Sequence, residues 1–143
     1  MRLLDINLLI ARTDPSHTHH GKAVTWFAEH AAIGWITCPL TENGFVRILG
    51  HPGYPAGPGS PERAAKLLRR LVTTVPGHRF LPDNLSLLDR AAFPALANVG
   101  SKQITDLYLL ALAVNHDIRF LTFDERIDPA LIPGGPNACE TLL

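Results

Sequence analysis

The sequence predicts an α/β fold, a central and mainly parallel β-sheet flanked by helices. Two observations point there. Short apolar, β-prone runs ("RLLD", "GWITC" and "IRFLTF") are separated by segments of helical length and helical hydrophobic spacing. Strands joined by helices run parallel, and such sheets gather ligand groups beyond their carboxyl ends. With 143 residues, 46% of them hydrophobic and 18% charged, the chain has the size and composition of a single domain over residues 1–143 with one continuous core.

The first strand is "RLLD", closing at Asp5, and "INLLIART" continues from it as a helix until Pro15 and Ser16 mark a turn. A second helix from Thr18 or His19 to His30 carries Ala23, Val24, Trp26, Phe27 and Ala31 on one face, with Ser16 or Thr18 as its N-cap. "GWITC" is the second strand. Pro39 then suits the first turn of a helix through "LTENGFVRIL", with Glu42 early in it and Gly44 allowing close packing.

"GHPGYPAGPGSP" is the one long Pro/Gly stretch and reads as a lid or crossover loop rather than a domain linker. Ser60 and Pro61 launch the next helix, in which Ala64, Leu67, Leu68, Leu71 and Val75 form a packing stripe and Arg63, Lys66 and Arg70 lie opposite. "HRFLP" is a short strand, and "LSLLDRAAF" reads as a helix ended by Pro94. "ITDLYLLALAVNH" is the strongest helix, with Ile104, Leu107, Leu110, Ala111 and Val114 on its packing face. "IRFLTF" is a strand with Asp124 directly after it, and "ACETLL" adds a last edge strand.

Thirteen Lys plus Arg balance thirteen Asp plus Glu, so no global field draws the protein to nucleic acid or anionic lipid. Cys38 and Cys139 have no ligand-like spacing and read as two buried thiols of a reducing compartment. The longest apolar run, "LYLLALAV", falls far short of a roughly 20-residue span, and the expected location is cytoplasmic.

Asp5 interrupts an otherwise apolar run, and a carboxylate is rarely buried unless something holds it. Asp124 follows a strand in the same way, while Glu42 and Asp106 fall in the first turns of two helices. Each acid alone has an ordinary reading as a cap, a helix-start acid or a turn former. Together, Asp5, Glu42, Asp106 and Asp124 form an oxygen-ligand set for one or two Mg²⁺ or Mn²⁺ ions. Such ions lower the pKa of an attacking water and neutralise phosphate oxygens. "HTHH" (His17, His19, His20) lacks a partner pair at zinc-ligand spacing. No Ser/His/Asp triad motif, P-loop or dinucleotide motif occurs.

Four blocks, "LLDINLLI" with Asp5, "CPLTENGFVRIL" with Glu42, "QITDLYLLALA" with Asp106 and "FLTFD" with Asp124, resemble in order those of the PIN domain, specifically the VapC-type toxins of bacterial toxin–antitoxin pairs. The resemblance covers nearly the whole chain. It implies a three-layer PIN-like fold and a metal-dependent endoribonuclease that hydrolyses RNA phosphodiesters by metal-activated water. It also implies a homodimer and a cognate VapB-type antitoxin, assembled as a heterotetramer or larger.

The four acids carry over as catalytic and metal residues, Asp5, Asp106 and Asp124 as anchors and Glu42 on the metal or its water. Asn7 and Thr122 match supporting positions beside them. Many relatives read Asp-Thr-Asn where this chain has Asp5-Ile6-Asn7, a change that keeps the acid. Asp128 matches only loosely a fifth acid. Arg63, Lys66, Arg70, Lys102 and Arg126 are candidate RNA contacts, and Phe45, Leu49, Leu67 and Leu71 a candidate antitoxin groove. Two other classes stay open: a metal-dependent small-molecule phosphatase with Asp5 as phosphoryl acceptor, and an inactive peptide-binding domain.

Overall fold

The computed structural model describes residues 1–143. Its elements, in chain order, are β1 (Arg2–Leu4), α1 (Ile6–Thr13), α2 (His20–His30), β2 (Trp35–Thr37), α3 (Pro39–Leu49), α4 (Pro61–Thr74), β3 (His78–Phe80), α5 (Ile104–Asn115), β4 (Arg119–Thr122), α6 (Gly135–Ala138) and β5 (Cys139–Thr141). The five strands form one sheet in the order β3-β2-β1-β4-β5, and every neighbouring pair is parallel.

Successive strand residues face opposite sides, so the sheet carries two cores. Leu4, Trp35 and Leu121 pack with Leu8, Leu9, Phe27, Phe45, Leu49, Leu68 and Leu71 under α1 to α4. Leu3, Ile36 and Phe120 pack with α5, through Leu107 to Ala113, and with Ile132 and Ala138. Helix–sheet–helix layering follows directly.

The chain order reverses beside β1: β2 and β3 extend the sheet one way, β4 and β5 the other. A crevice therefore opens beyond the carboxyl ends of β1 and β4, the usual ligand position of an open parallel sheet. Asp5 follows β1 and Asp124 follows β4 by two residues.

Four expectations need correction. Residues 85–93 are turns, not a helix. The Ser86 hydroxyl accepts from Leu88 N–H and the Asp89 carboxylate from Ala91 N–H, so side chains take the donors that a helix would use. This segment instead covers α5, with Phe93 stacked on Tyr108 and the Tyr108 hydroxyl donating to Leu85 O.

Consequently α5 is buried on both sides, Leu107 to Ala113 without interruption, rather than along one stripe. Neither Ser16 nor Thr18 caps α2. It begins after His19, and the upstream turn is closed by Asp14 Oδ1 and His17 Nδ1 accepting from the N–H groups of Ser16 and His19.

The four-residue groove also dissolves in part. Phe45 and Leu71 are buried in the core under α1 to α4, because α3 packs on both α4 and α1. Leu49 and the exposed Leu67 do line a shallow groove with Tyr54 and Pro58 of the Pro/Gly loop. Cys38 and Cys139 are free thiols, Cys38 buried and Cys139, on the edge strand β5, only partly so, and no helix is long and apolar enough to cross a membrane.

Candidate active site

Asp5 is 4% exposed, at the turn from β1 into α1. Its Oδ2 accepts a 2.5 Å hydrogen bond from Thr122 Oγ1, the last residue of β4. Thr122 Oγ1 in turn accepts from the Asp124 N–H at 3.0 Å and, at 3.5 Å, from Asn7 Nδ2. One hydroxyl thus ties together the ends of two strands. The Asn7 Oδ1 on the other side of that amide is buried without a partner.

Burial pushes the Asp5 carboxyl up to about 7; the Thr122 hydrogen bond opposes this and the Asp106 charge adds to it. Asp106, in the first turn of α5, is raised by burial and then by the charge of Asp124, with Arg126 opposing. Asp124 is lowered, because Arg126 donates from Nε to Oδ1 at 2.9 Å and from a terminal nitrogen to Oδ2 at 2.8 Å. Asp106, Asp124 and Arg126 line a cavity of about 180 Å³ together with Lys102, Leu107 and Asp128. Asp128 itself accepts from Ala130 N–H and caps a short turn of helix.

Glu42 is placed differently. It lies in the first turn of α3, which packs on the opposite face of the sheet from α5. Thr37 Oγ1 donates to its Oε1 at 2.7 Å, and His78 Nε2 lies 2.8 Å from the same hydroxyl. The charge that Asp5 feels is that of Asp106, whereas the charge of Glu42 acts on His78, whose protonated form it favours. Three aspartates are therefore coupled in sequence, Asp5 to Asp106 to Asp124, while Glu42 belongs to a separate hydrogen-bonded chain.

No three His, Cys, Asp or Glu side chains close around one point in these conformations. The donor chemistry nonetheless fits a hard divalent cation. All the groups are oxygens, burial and neighbouring charge disfavour the ionised form of two of the acids, and a buried amide oxygen beside them lacks a donor. Arg126 supplies the positive charge at Asp124.

Lys102 and Arg126 reach this cavity, whereas Arg63, Lys66 and Arg70 lie on α4, away from its lining. There Lys66 pairs with Glu62 and Arg63 donates to Pro58 O. His19 stacks on Phe123 and His20 bonds Ala11 O, so the histidine run serves packing and turn closure. Sequence reasoning missed Thr37 and His78. Thr37 was within reach of the strand-end argument that found Asp5 and Asp124; His78 gave no signal, because its approach depends on strand register.

A family model described as the PIN domain matches residues 2–130. Ribonuclease VapC44 of Mycobacterium tuberculosis is 42% identical over 132 residues, 92% of this chain and 92% of that protein. Ribonuclease VapC38 of the same organism is 43% identical over 125 residues, covering 87% of this chain and 85% of its own. The crystal structure of FitAcB from Neisseria gonorrhoeae superimposes with a TM-score of 0.58 at 18% identity, over 87% of this chain and 88% of that one, a likeness of fold. With a family model covering most of its length and relatives this similar end to end, the chain belongs to the PIN-domain family, in its VapC-type branch.

Proposed function

We propose that residues 1–143 act as a single-domain endoribonuclease of the VapC toxin type, dependent on Mg²⁺ or Mn²⁺ and silenced by a cognate VapB-type antitoxin. The observation that carries this reading is the crowding of Asp5, Asp106 and Asp124 at the β1/β4 crevice, where burial and neighbouring charge disfavour the ionised form of two of the three. A divalent cation relieves that crowding far better than a proton shared among them. The names of its relatives support RNA as the substrate.

In this reading Asp5, Asp106 and Asp124 hold the ion, and Glu42 holds it or orients water. When bound, it lowers the pKa of a water and offsets the charge of the phosphate oxygens. Thr122 keeps Asp5 in one rotamer and fixes the Asp124 backbone through the same oxygen. Asn7 offers its free Oδ1 as a further acceptor. Lys102 and Arg126, at the rim, receive phosphates and offset the repulsion between an acidic crevice and RNA.

An antitoxin segment fits the Leu49/Leu67 groove only in reduced form, with Phe45 and Leu71 supporting it from the core. A homodimer, alone or within a toxin–antitoxin heterotetramer or larger, completes the assembly. The decisive experiment incubates purified protein and its Asp5→Asn and Asp106→Asn variants with total cellular RNA, followed by end sequencing. Cleavage that needs Mg²⁺ or Mn²⁺, stops with EDTA and is lost in both folded variants is expected. Equal cleavage by the Asp5→Asn protein overturns the assignment.

A further inference from the structure

We propose that His78 is a positioning residue for Glu42, acting through the hydroxyl of Thr37. This inference rests on the role given above to Glu42 and names the groups that aim its carboxylate.

The direction of the hydrogen bonds is forced. An ionised Glu42 only accepts, so Thr37 spends its single proton on Oε1, at 2.7 Å. The Thr37 oxygen can then only accept from the ring nitrogen 2.8 Å away, and His78 must carry a proton on Nε2. The chain runs one way, from His78 to Thr37 to Glu42. No hydrogen bond engages Glu42 Oε2, the oxygen left for chemistry.

Packing holds the first link independently of the bond. Trp35 pairs in register with His78, and Thr37 with Phe80. The period of two therefore puts Trp35, Thr37, His78 and Phe80 on one face, with His78 reaching diagonally towards Thr37. The imidazole lies against Trp35 with ring centroids 4.6 Å apart. Just before it, Gly77 takes φ +83 and its carbonyl accepts from Trp35 N–H, so the start of β3 is fixed. Thr37 is fully buried, which leaves its hydroxyl no water to turn to.

Burial also disfavours the charged imidazole, with the Glu42 charge opposing. The donor does not depend on which form prevails, because Nε2–H is present in both the required tautomer and the imidazolium. Without this chain, a glutamate in a half-open first helical turn has free side-chain torsions and no fixed target.

The test uses the full chain and three variants: His78→Phe keeps a ring against Trp35 and removes the donor, His78→Gln restores a side-chain N–H, and Thr37→Val removes the relay at nearly constant volume. Nitrogen-15 NMR of the histidine rings should show His78 as the Nε2–H tautomer in the parent and lose that signature in Thr37→Val. Titration with MnCl₂ should show affinity weakened about tenfold in His78→Phe and Thr37→Val, and recovered in His78→Gln. On RNA, kcat should fall by a similar factor with KM nearly constant, and Gln should restore it. A parent His78 in the Nδ1–H form, or parent-like Mn²⁺ affinity in folded Thr37→Val and His78→Phe, overturns the proposal. The ring-nitrogen and Mn²⁺ results decide it even if the parent cuts no RNA, so failure of the nuclease reading is distinguishable from failure of this one.

Discussion

Arg126 grips Asp124 with both ends of its guanidinium fork, Nε on Oδ1 and a terminal nitrogen on Oδ2, although it is only two residues away and its side chain is 90% exposed. An ion approaching Asp124 meets a carboxylate with both oxygens already engaged. Because solvent competes freely for so exposed an arginine, the pair yields readily. Under the proposed function, the same side chain is counter-charge at rest and phosphate contact once released.

Arg126→Gln should therefore tighten Mn²⁺ binding a few-fold while weakening RNA affinity, two opposite changes from one substitution. Calorimetric titration with MnCl₂ and RNA binding in the presence of Ca²⁺ measure them separately. Weaker Mn²⁺ binding in the variant would show that Arg126 does not compete with the ion.

Metal-free stability should depend on Asp5. Its folded pKa of about 7 lies above the unfolded value, so the folded state binds the extra proton and stability falls as pH rises from about 4 through 7. The full difference corresponds to about 4 kcal/mol above pH 8. Asp5→Asn removes this slope, since an amide oxygen still accepts from Thr122 and carries no charge. Urea denaturation with EDTA at pH 5 and pH 8 should show the variant more stable than the parent at pH 8. Added Mn²⁺ should stabilise the parent and leave the variant nearly unaffected.

Thr122→Val should cost about 1–3 kcal/mol, because the buried Asp5 carboxylate and the Asp124 N–H lose their shared partner. With the lowering hydrogen bond gone, the Asp5 pKa rises further, and the pH midpoint of the metal-free stability slope moves upward. A midpoint that stays put would separate Thr122 from Asp5.

Gly77→Ala tests the strand that carries His78. Gly77 is held at φ +83, and a Cβ there would run into the Ala31 carbonyl oxygen, a backbone atom that cannot swing away. The expected loss is at least about 2 kcal/mol, from left-handed strain alone plus the clash. Thermal unfolding checks it; a parent-like Tm would mean β3 is not anchored at this turn.

Lys102→Gln should reduce the salt dependence of RNA binding, while neutralising Arg63, Lys66 and Arg70 together should leave it unchanged, since only Lys102 of these four lines the acidic cavity. Binding isotherms across a salt series, with Ca²⁺ in place of the catalytic ion, separate the two.

The positions of Asp5 and Asp124 were legible because both break apolar runs at strand ends, a local signal with a direct physical cause. The layer structure was legible for the same reason: hydrophobic period changes from strand to helix along the chain. What was not legible depends on contacts between distant segments. "LSLLDRAAF" has a helical pattern, yet Ser86 and Asp89 divert its donors and α5 draws its apolar side chains as a cover. Phe45 and Leu71 looked surplus to one sheet face because the packing of α3 on α4 and α1 cannot be counted from one helix at a time. The diagonal from His78 to Thr37 needed the register of β2 against β3, which periodicity leaves open.

The hydroxyl of Thr122 is bonded to an acid 117 positions before it in the chain, and that has a consequence for how the protein is made. While translation has not passed residue 124, Asp5 has no Thr122 to hold it and no Asp106 or Asp124 beside it. Under the proposed function, prematurely terminated chains that stop in the Pro/Gly loop or in α5 lack the complete site, however well their first helices collapse. In that reading, any hazard to the producing cell is confined to copies completed at least through Asp124.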